Sequence, residues 1–73
     1  KTTSMTITIL TLDEFEAIRL LDFERLSQTA VAKQMKVHRS TVSRIASSAR
    51  QKIAGALVEN NTIKIEGGCC KVI

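Results

Sequence analysis

Residues 28–47 read QTAVAKQMKVHRSTVSRIAS, and the pattern within this stretch decides the fold. Two helices that cross at a steep angle around a three- or four-residue turn need small or apolar side chains where they touch. Val31 and Ala32 supply them on the first helix, Met35 and Val37 around the turn, and Val42 and Ile45 on the second. Ala32 is the most restrictive of these positions, because a large side chain there would hold the two helices apart. Ser27 is a natural N-cap for the first helix, which is expected to close at about Met35 before a tight turn at Lys36 and Val37.

The second helix of this unit is expected to run from about Arg39 to about Val58, roughly 30 Å at 1.5 Å per residue. Val42, Ile45, Ala46, Ala49, Ile53, Ala56 and Leu57 form an unbroken stripe at helical spacing and read as its core face. Gly55 costs about 1 kcal/mol in a helix interior, so it marks either a close contact or a loosening last turn. At 100° per residue, Ser40, Arg44, Ser47 and Gln51 fall nearly opposite that stripe, flanked by Arg39 and Ser43.

Upstream, Thr11 and Glu14 have the spacing of a capping box, in which the hydroxyl accepts from the backbone N–H three residues on and the carboxylate reaches back. A first helix is expected from there to about Glu24, with Leu12, Phe15, Ile18 and Leu21 buried and its acids in water. Residues 6–10 and 62–66 alternate in the manner of strands, and Asn60 and Asn61 stop the long helix between them. Isolated strands are marginal, so the two are expected to pair with each other or across a dimer. The expected fold is therefore mainly α: one domain over residues 1–73, a three-helix helix-turn-helix unit (the motif at about 27–47) with two short flanking β-strands.

Charge is divided along the chain. Residues 13–24 carry five acids and one base, whereas residues 25–58 carry seven bases and no acid. A block of one sign on a folded surface is the footprint of a phosphate-binding face, although a solvated basic helix has the same composition. Reading base edges in the major groove needs donors and acceptors at the N-terminal end of a helix. Arg39, Ser40, Ser43, Arg44 and Ser47 fit that role, and either arginine could fork onto a guanine. Ser27, Gln28, Lys33, His38, Arg50 and Lys52 suit contacts to the phosphate backbone, which hold register without reading sequence.

The segments TLDEFEAIRLLDFERLSQ (11–28), MKVHRSTVSRI (35–45), SARQKIAGALV (48–58) and IEGG (65–68) resemble a family of small prokaryotic proteins with a DNA-binding helix-turn-helix similar to region four of bacterial sigma factors. The resemblance covers about residues 11–68. It implies promoter-like duplex recognition through Arg39, Ser40, Ser43 and Arg44. Two positions depart from the pattern. Lys36 stands where such turns usually have glycine, so it must tolerate positive φ or use another turn, and His38 stands where serine or threonine usually caps the helix.

Other classes of function find less support. Seventy-three residues leave little room for a buried catalytic cavity, and no catalytic set is evident. With two phenylalanines and neither tyrosine nor tryptophan, the chain lacks a stacking platform for single-stranded nucleic acid. Cys69 and Cys70 are adjacent, without CxxC spacing or further ligands, and read as an inert reduced pair; a thiol or metal sensor is the rival reading. No metal or cofactor is expected. No apolar run approaches the roughly 20 residues of a membrane span, which favours the cytoplasm. The first residue is lysine, so the chain reads as trimmed or as the end of something longer. One recognition helix reads few base pairs, so a homodimer with the strands or the end of the long helix at its interface is expected, with RNA polymerase as an alternative tether. The expected function is that of a transcriptional regulator or promoter-binding factor. The main rival is a protein-interaction module that binds polymerase or a regulator without touching bases.

Overall fold

The computed structural model describes residues 6–66. Strand β1 (Ile7–Thr11) leads directly into helix α1 (Leu12–Ile18), which continues as a π-helical turn over Arg19–Phe23. Helix α2 (Gln28–Met35), helix α3 (Arg39–Glu59) and strand β2 (Thr62–Glu66) follow. The domain is mainly helical, with three helical segments in chain order and two short strands. β1 and β2 pair with each other in parallel, Ile7 beside Thr62 through to Thr11 beside Glu66, so the three helices form the crossover between them. The expected strands are present, with the first displaced by one residue.

The expected capping box is complete. The Glu14 amide donates to the Thr11 hydroxyl at 3.1 Å, and the Thr11 amide donates to the Glu14 carboxylate at 2.9 Å. Behind it, the expected apolar stripe is buried only in part. Ile18 and Leu21 are half-buried, with Leu21 packed against the core, but Leu12 and Phe15 are exposed, while Glu14, Ala17 and Leu20 are buried. The reason lies in alanine: Ala17 meets a partner helix, α3, whose inner face carries fully buried Ala46 and Ala49. Small side chains let two helix axes approach closely, and a periodicity traced through large residues passes over them.

The expected uniform helix to Glu24 also gives way. From Arg19 the turn widens, the Glu24 amide donates to the Arg19 carbonyl at 2.8 Å, and the Leu26 amide donates to the Leu20 carbonyl at 3.0 Å. This wider turn keeps Leu20 inside and leaves Phe23 in water.

Leu20, Val31, Ala32 and Val42 form one cluster of the core, with Leu21, Leu26 and Met35 packed against them. Three of the six positions expected where α2 meets α3 (Val31, Ala32 and Val42) are buried, and Met35 and Ile45 are half-buried. Val37 is instead exposed. The stripe along α3 holds through Ala56, but Leu57 lies in water. Gly55 neither relieves a close contact nor ends the helix. A Cβ placed there would meet nothing within 4 Å, and α3 continues to Glu59 before Asn60 closes it in the left-handed region at φ 60°.

Candidate nucleic-acid interface

α2 begins at Ser27, whose hydroxyl accepts from the Ala30 amide at 3.1 Å. It ends at Lys36, which takes the left-handed conformation at φ 62°, ψ 45°, with its amide returned to the carbonyls of Ala32 and Lys33. The turn therefore keeps the geometry that glycine usually serves, with lysine in it. Val37 and His38 complete the connection. His38 adopts an extended conformation at the start of α3, but its imidazole makes no capping hydrogen bond. Its carbonyl accepts from the amides of Thr41 and Val42, which leaves the amides of Arg39 and Ser40 at the open end of the helix.

The inner and outer faces of α3 separate as the spacing predicts. Val42, Ala46 and Ala49 are buried, whereas Arg39, Ser40, Ser43, Arg44 and Ser47 are all exposed. Gln28 is half-buried at the start of α2, and Lys33 and His38 are exposed. Lys33, Lys36, His38 and Arg39 line one shallow, open hollow of about 560 Å³ together with Thr29, Ala32 and Val37. Lys36 was not among the expected contact residues. Its sequence signals are membership of the basic block and its place at the usual glycine of the turn, and it lines the hollow beside the other three. Arg44 borders a second hollow together with Asp13, Glu14 and Ser48, so the acidic start of α1 limits the basic surface on that side.

The cations of the block fall into two groups. Among the described residues, Arg25, Lys33, Lys36, Arg39 and Arg44 form no salt bridge, and all five are exposed. Arg50 and Lys52, expected on phosphates, are committed elsewhere. The Arg50 guanidinium forks onto both oxygens of Asp22 at 2.7 and 3.1 Å, holding that carboxyl below its usual range. The Lys52 ammonium donates to the Ile9 carbonyl at 3.1 Å and to Glu14 at 2.9 Å. Lys52 is thus paired with a buried acid of α1, and Arg50 with an exposed acid of the π-helical turn.

Glu14 is also the main exception to the expectation of a solvated acidic helix. The residue is 7% exposed, and its carboxylate accepts from the Thr11 amide, the Ser48 hydroxyl at 2.7 Å and the Lys52 ammonium. Burial raises its carboxyl, but these donors and the nearby positive charge outweigh burial and bring it down to about 2. Spacing alone offered one hint, since Ser48 and Lys52 are four residues apart on a single face of α3.

No group of three or more histidine, cysteine or acidic side chains among the described residues is placed to hold a metal ion. No helix among them is long and apolar enough to cross a membrane. Cys69 and Cys70 lie outside the described residues.

A family model described as protein of unknown function DUF134 matches residues 1–73. Similar curated proteins carry the name UPF0251 protein. One from Caldanaerobacter subterraneus subsp. tengcongensis is 58% identical over 64 residues, covering 88% of this chain and 54% of its own length. Another from Chlorobaculum tepidum is 52% identical over 60 residues, covering 82% of this chain and 39% of its own. One from Methanosarcina mazei is 48% identical over 60 residues, covering 82% and 37% respectively. The chain thus spans about half the length, or less, of these relatives. No solved structure matches it.

Proposed function

The chain belongs to the prokaryotic family described as protein of unknown function DUF134, and from that starting point we propose that it binds duplex DNA, with α2 and α3 acting as a helix-turn-helix. One observation carries the reading. The N-terminal half of α3 presents Arg39, Ser40, Ser43, Arg44 and Ser47 together on an exposed face, while Val42 and Ala46 on the same turns are sealed inside. Short hydroxyls beside two unpaired guanidinium groups let a helix sit deep in a major groove and still offer donors to base edges. Lys33, Lys36 and His38, grouped around the adjoining hollow, suit phosphates flanking that groove, with the Arg39 and Ser40 amides and the N-terminus of α2 at Ser27 and Gln28 in support. In this reading the domain is a cytoplasmic, non-catalytic part of a transcriptional regulator or promoter-binding factor.

The supporting experiment is binding to random-sequence duplex DNA across a salt series. Release of condensed counterions makes log K fall steeply with log salt, with a slope near −0.9 per phosphate neutralised. The four unpaired cations of this surface, Lys33, Lys36, Arg39 and Arg44, predict a slope of about −2 to −4. Binding that is absent, or flat with salt, overturns the reading.

A second reading draws on Phe23, Leu57 and Val58, which are 79%, 76% and 84% exposed. Large apolar side chains in water suit contact with another protein, RNA polymerase included. In that case polymerase would be bound while random duplex would not.

A further inference from the structure

β2 is exposed at every residue, and its outer edge has no partner among the described residues. The Thr62 amide donates to the Thr6 carbonyl at 3.1 Å, which sets the phase of the ladder. In a parallel pair the even-numbered residues of β2 then direct their backbone groups toward β1, and Ile63 and Ile65 direct theirs outward. The outer edge of β1 is partly capped, because its Ile9 carbonyl accepts from Lys52 and its Thr11 amide donates to Glu14. The two-stranded sheet therefore has one partly capped edge and one open edge.

The side chains of β2 divide by the same alternation. Ile63 and Ile65 pair in register with Thr8 and Leu10, so they share the face of buried Leu10, yet remain 39% and 44% exposed. Lys64 and Glu66 occupy the other face and are 3.0 Å apart within the strand. We propose that the open edge of β2 is a self-association surface, on which a second copy of this chain adds its own β2 in antiparallel sense about a two-fold axis.

Charge selects the register. With Ile65 opposite Ile65 of the second copy, the outward backbone groups of both residues bond to each other. Lys64 then stands directly opposite Glu66 of the second copy, and Glu66 opposite its Lys64. Opposite charges facing across strands are favourable, and the two-fold axis supplies the pair twice. The register centred on Ile63 places Lys64 against threonine and forms no such pair. The product is a four-stranded sheet ordered β1, β2, β2, β1, which passes the three-strand minimum that a lone pair does not reach. Within β2 three residues of each partner, Lys64, Ile65 and Glu66, oppose one another, which buries far less than the roughly 800 Å² of a standard interface, so the dimer is weak and concentration-dependent. This surface deepens the duplex-binding reading by pairing two α3 helices, but it rests on sheet geometry and is tested without DNA.

The test is the mass of the chain by sedimentation equilibrium over a concentration series. The wild type is expected to shift from monomer to dimer. Ile65→Pro removes an outward amide without touching the β1–β2 bonds, and is expected to stay monomeric with its helical circular dichroism intact. Lys64→Glu places like charges across the axis and is expected to raise the dimer Kd about tenfold, while Lys64→Glu combined with Glu66→Lys restores it. A wild type that is monomeric throughout overturns the proposal. So does a dimer whose Kd is unchanged by Ile65→Pro, or one in which the single and double charge variants behave alike. Because the salt-dependent duplex assay is run separately on the monomeric variant, loss of dimerisation and loss of DNA binding are read independently.

Discussion

The Lys52 ammonium stands 2.9 Å from Oε1 of Glu14 and 3.1 Å from the carbonyl of Ile9, so a single side chain of α3 reaches both the first turn of α1 and the strand before it. Ser48, one turn earlier on α3, donates to the other oxygen of the same carboxylate at 2.7 Å. Two segments that lie more than 30 residues from their partners on α3, β1 at Ile9 and the start of α1 at Glu14, are thus fastened to it at one place. Two members of the basic segment, Lys52 here and Arg50 on Asp22, are paired with acids.

Acid should loosen this fastening. Glu14 is held at about 2 in the folded chain against an ordinary value of 4.5, so its contribution is complete above about pH 5 and is lost as pH falls toward 2. Its size is on the order of 2–3 kcal/mol. Glu14→Gln should cost about that much at pH 7 and should flatten the dependence on pH below 5. Urea unfolding at pH 7, 4 and 3 checks this. Wild-type and variant stabilities should converge toward acid, and a constant gap between them would contradict the assignment.

Much of this architecture was legible from residue spacing. The capping box at Thr11 and Glu14, the two helices meeting at Val31 and Val42, and the exposed row from Arg39 to Ser47 all follow from local periodicity. What escaped depends on contacts between distant segments. Alanines at 17, 46 and 49 bring α1 against α3 and rotate Phe15 outward, and a propensity for burial reveals nothing about which helix will approach closely. The commitment of Arg50 and Lys52 to acids was equally hidden, since charge counted along a sequence does not show which opposite charges meet. Lys36 is the converse case. Its departure from the usual glycine was visible, and the fold accepts the strain.

That strain should be removable. A non-glycine residue in the left-handed region costs roughly 1–2 kcal/mol, whereas glycine adopts φ 62° freely but loses more entropy on folding. Lys36→Gly should therefore leave a net stabilisation of up to about 1 kcal/mol. In the duplex-binding reading it should also reduce the salt slope by about one, because a phosphate contact is lost. A higher midpoint in thermal unfolding together with a shallower salt dependence is the expected pair of results.

Gly55 offers a cleaner gain. It lies in an exposed part of α3, and an added Cβ meets nothing within 4 Å. Gly55→Ala should stabilise the fold by about 0.5–1 kcal/mol through helix propensity alone. Denaturant unfolding should show a higher midpoint with an unchanged slope. A neutral or destabilising result would mean that this stretch of α3 is not a regular helix interior in solution.

The assignment of roles on the proposed interface separates two substitutions that a purely electrostatic surface would not distinguish. Arg44 projects from the exposed face of α3 without an ion pair, and Lys33 lies on α2 at the rim of the neighbouring hollow. If Arg44 forks onto a guanine, Arg44→Ala should cost about 1–3 kcal/mol on a selected site and much less on random duplex, relaxing preference at one base position. If Lys33 meets a phosphate, Lys33→Ala should weaken every sequence by a similar factor and lower the salt slope by about one. Lys52→Ala should do neither. Its ammonium belongs to Glu14, so the loss should appear in unfolding rather than in binding once measurements are made well below the unfolding midpoint. Selection from a random duplex pool followed by titration of the three variants tests the whole set. Identical losses for Arg44→Ala and Lys33→Ala on every sequence would show that α3 lies on the backbone and reads no bases.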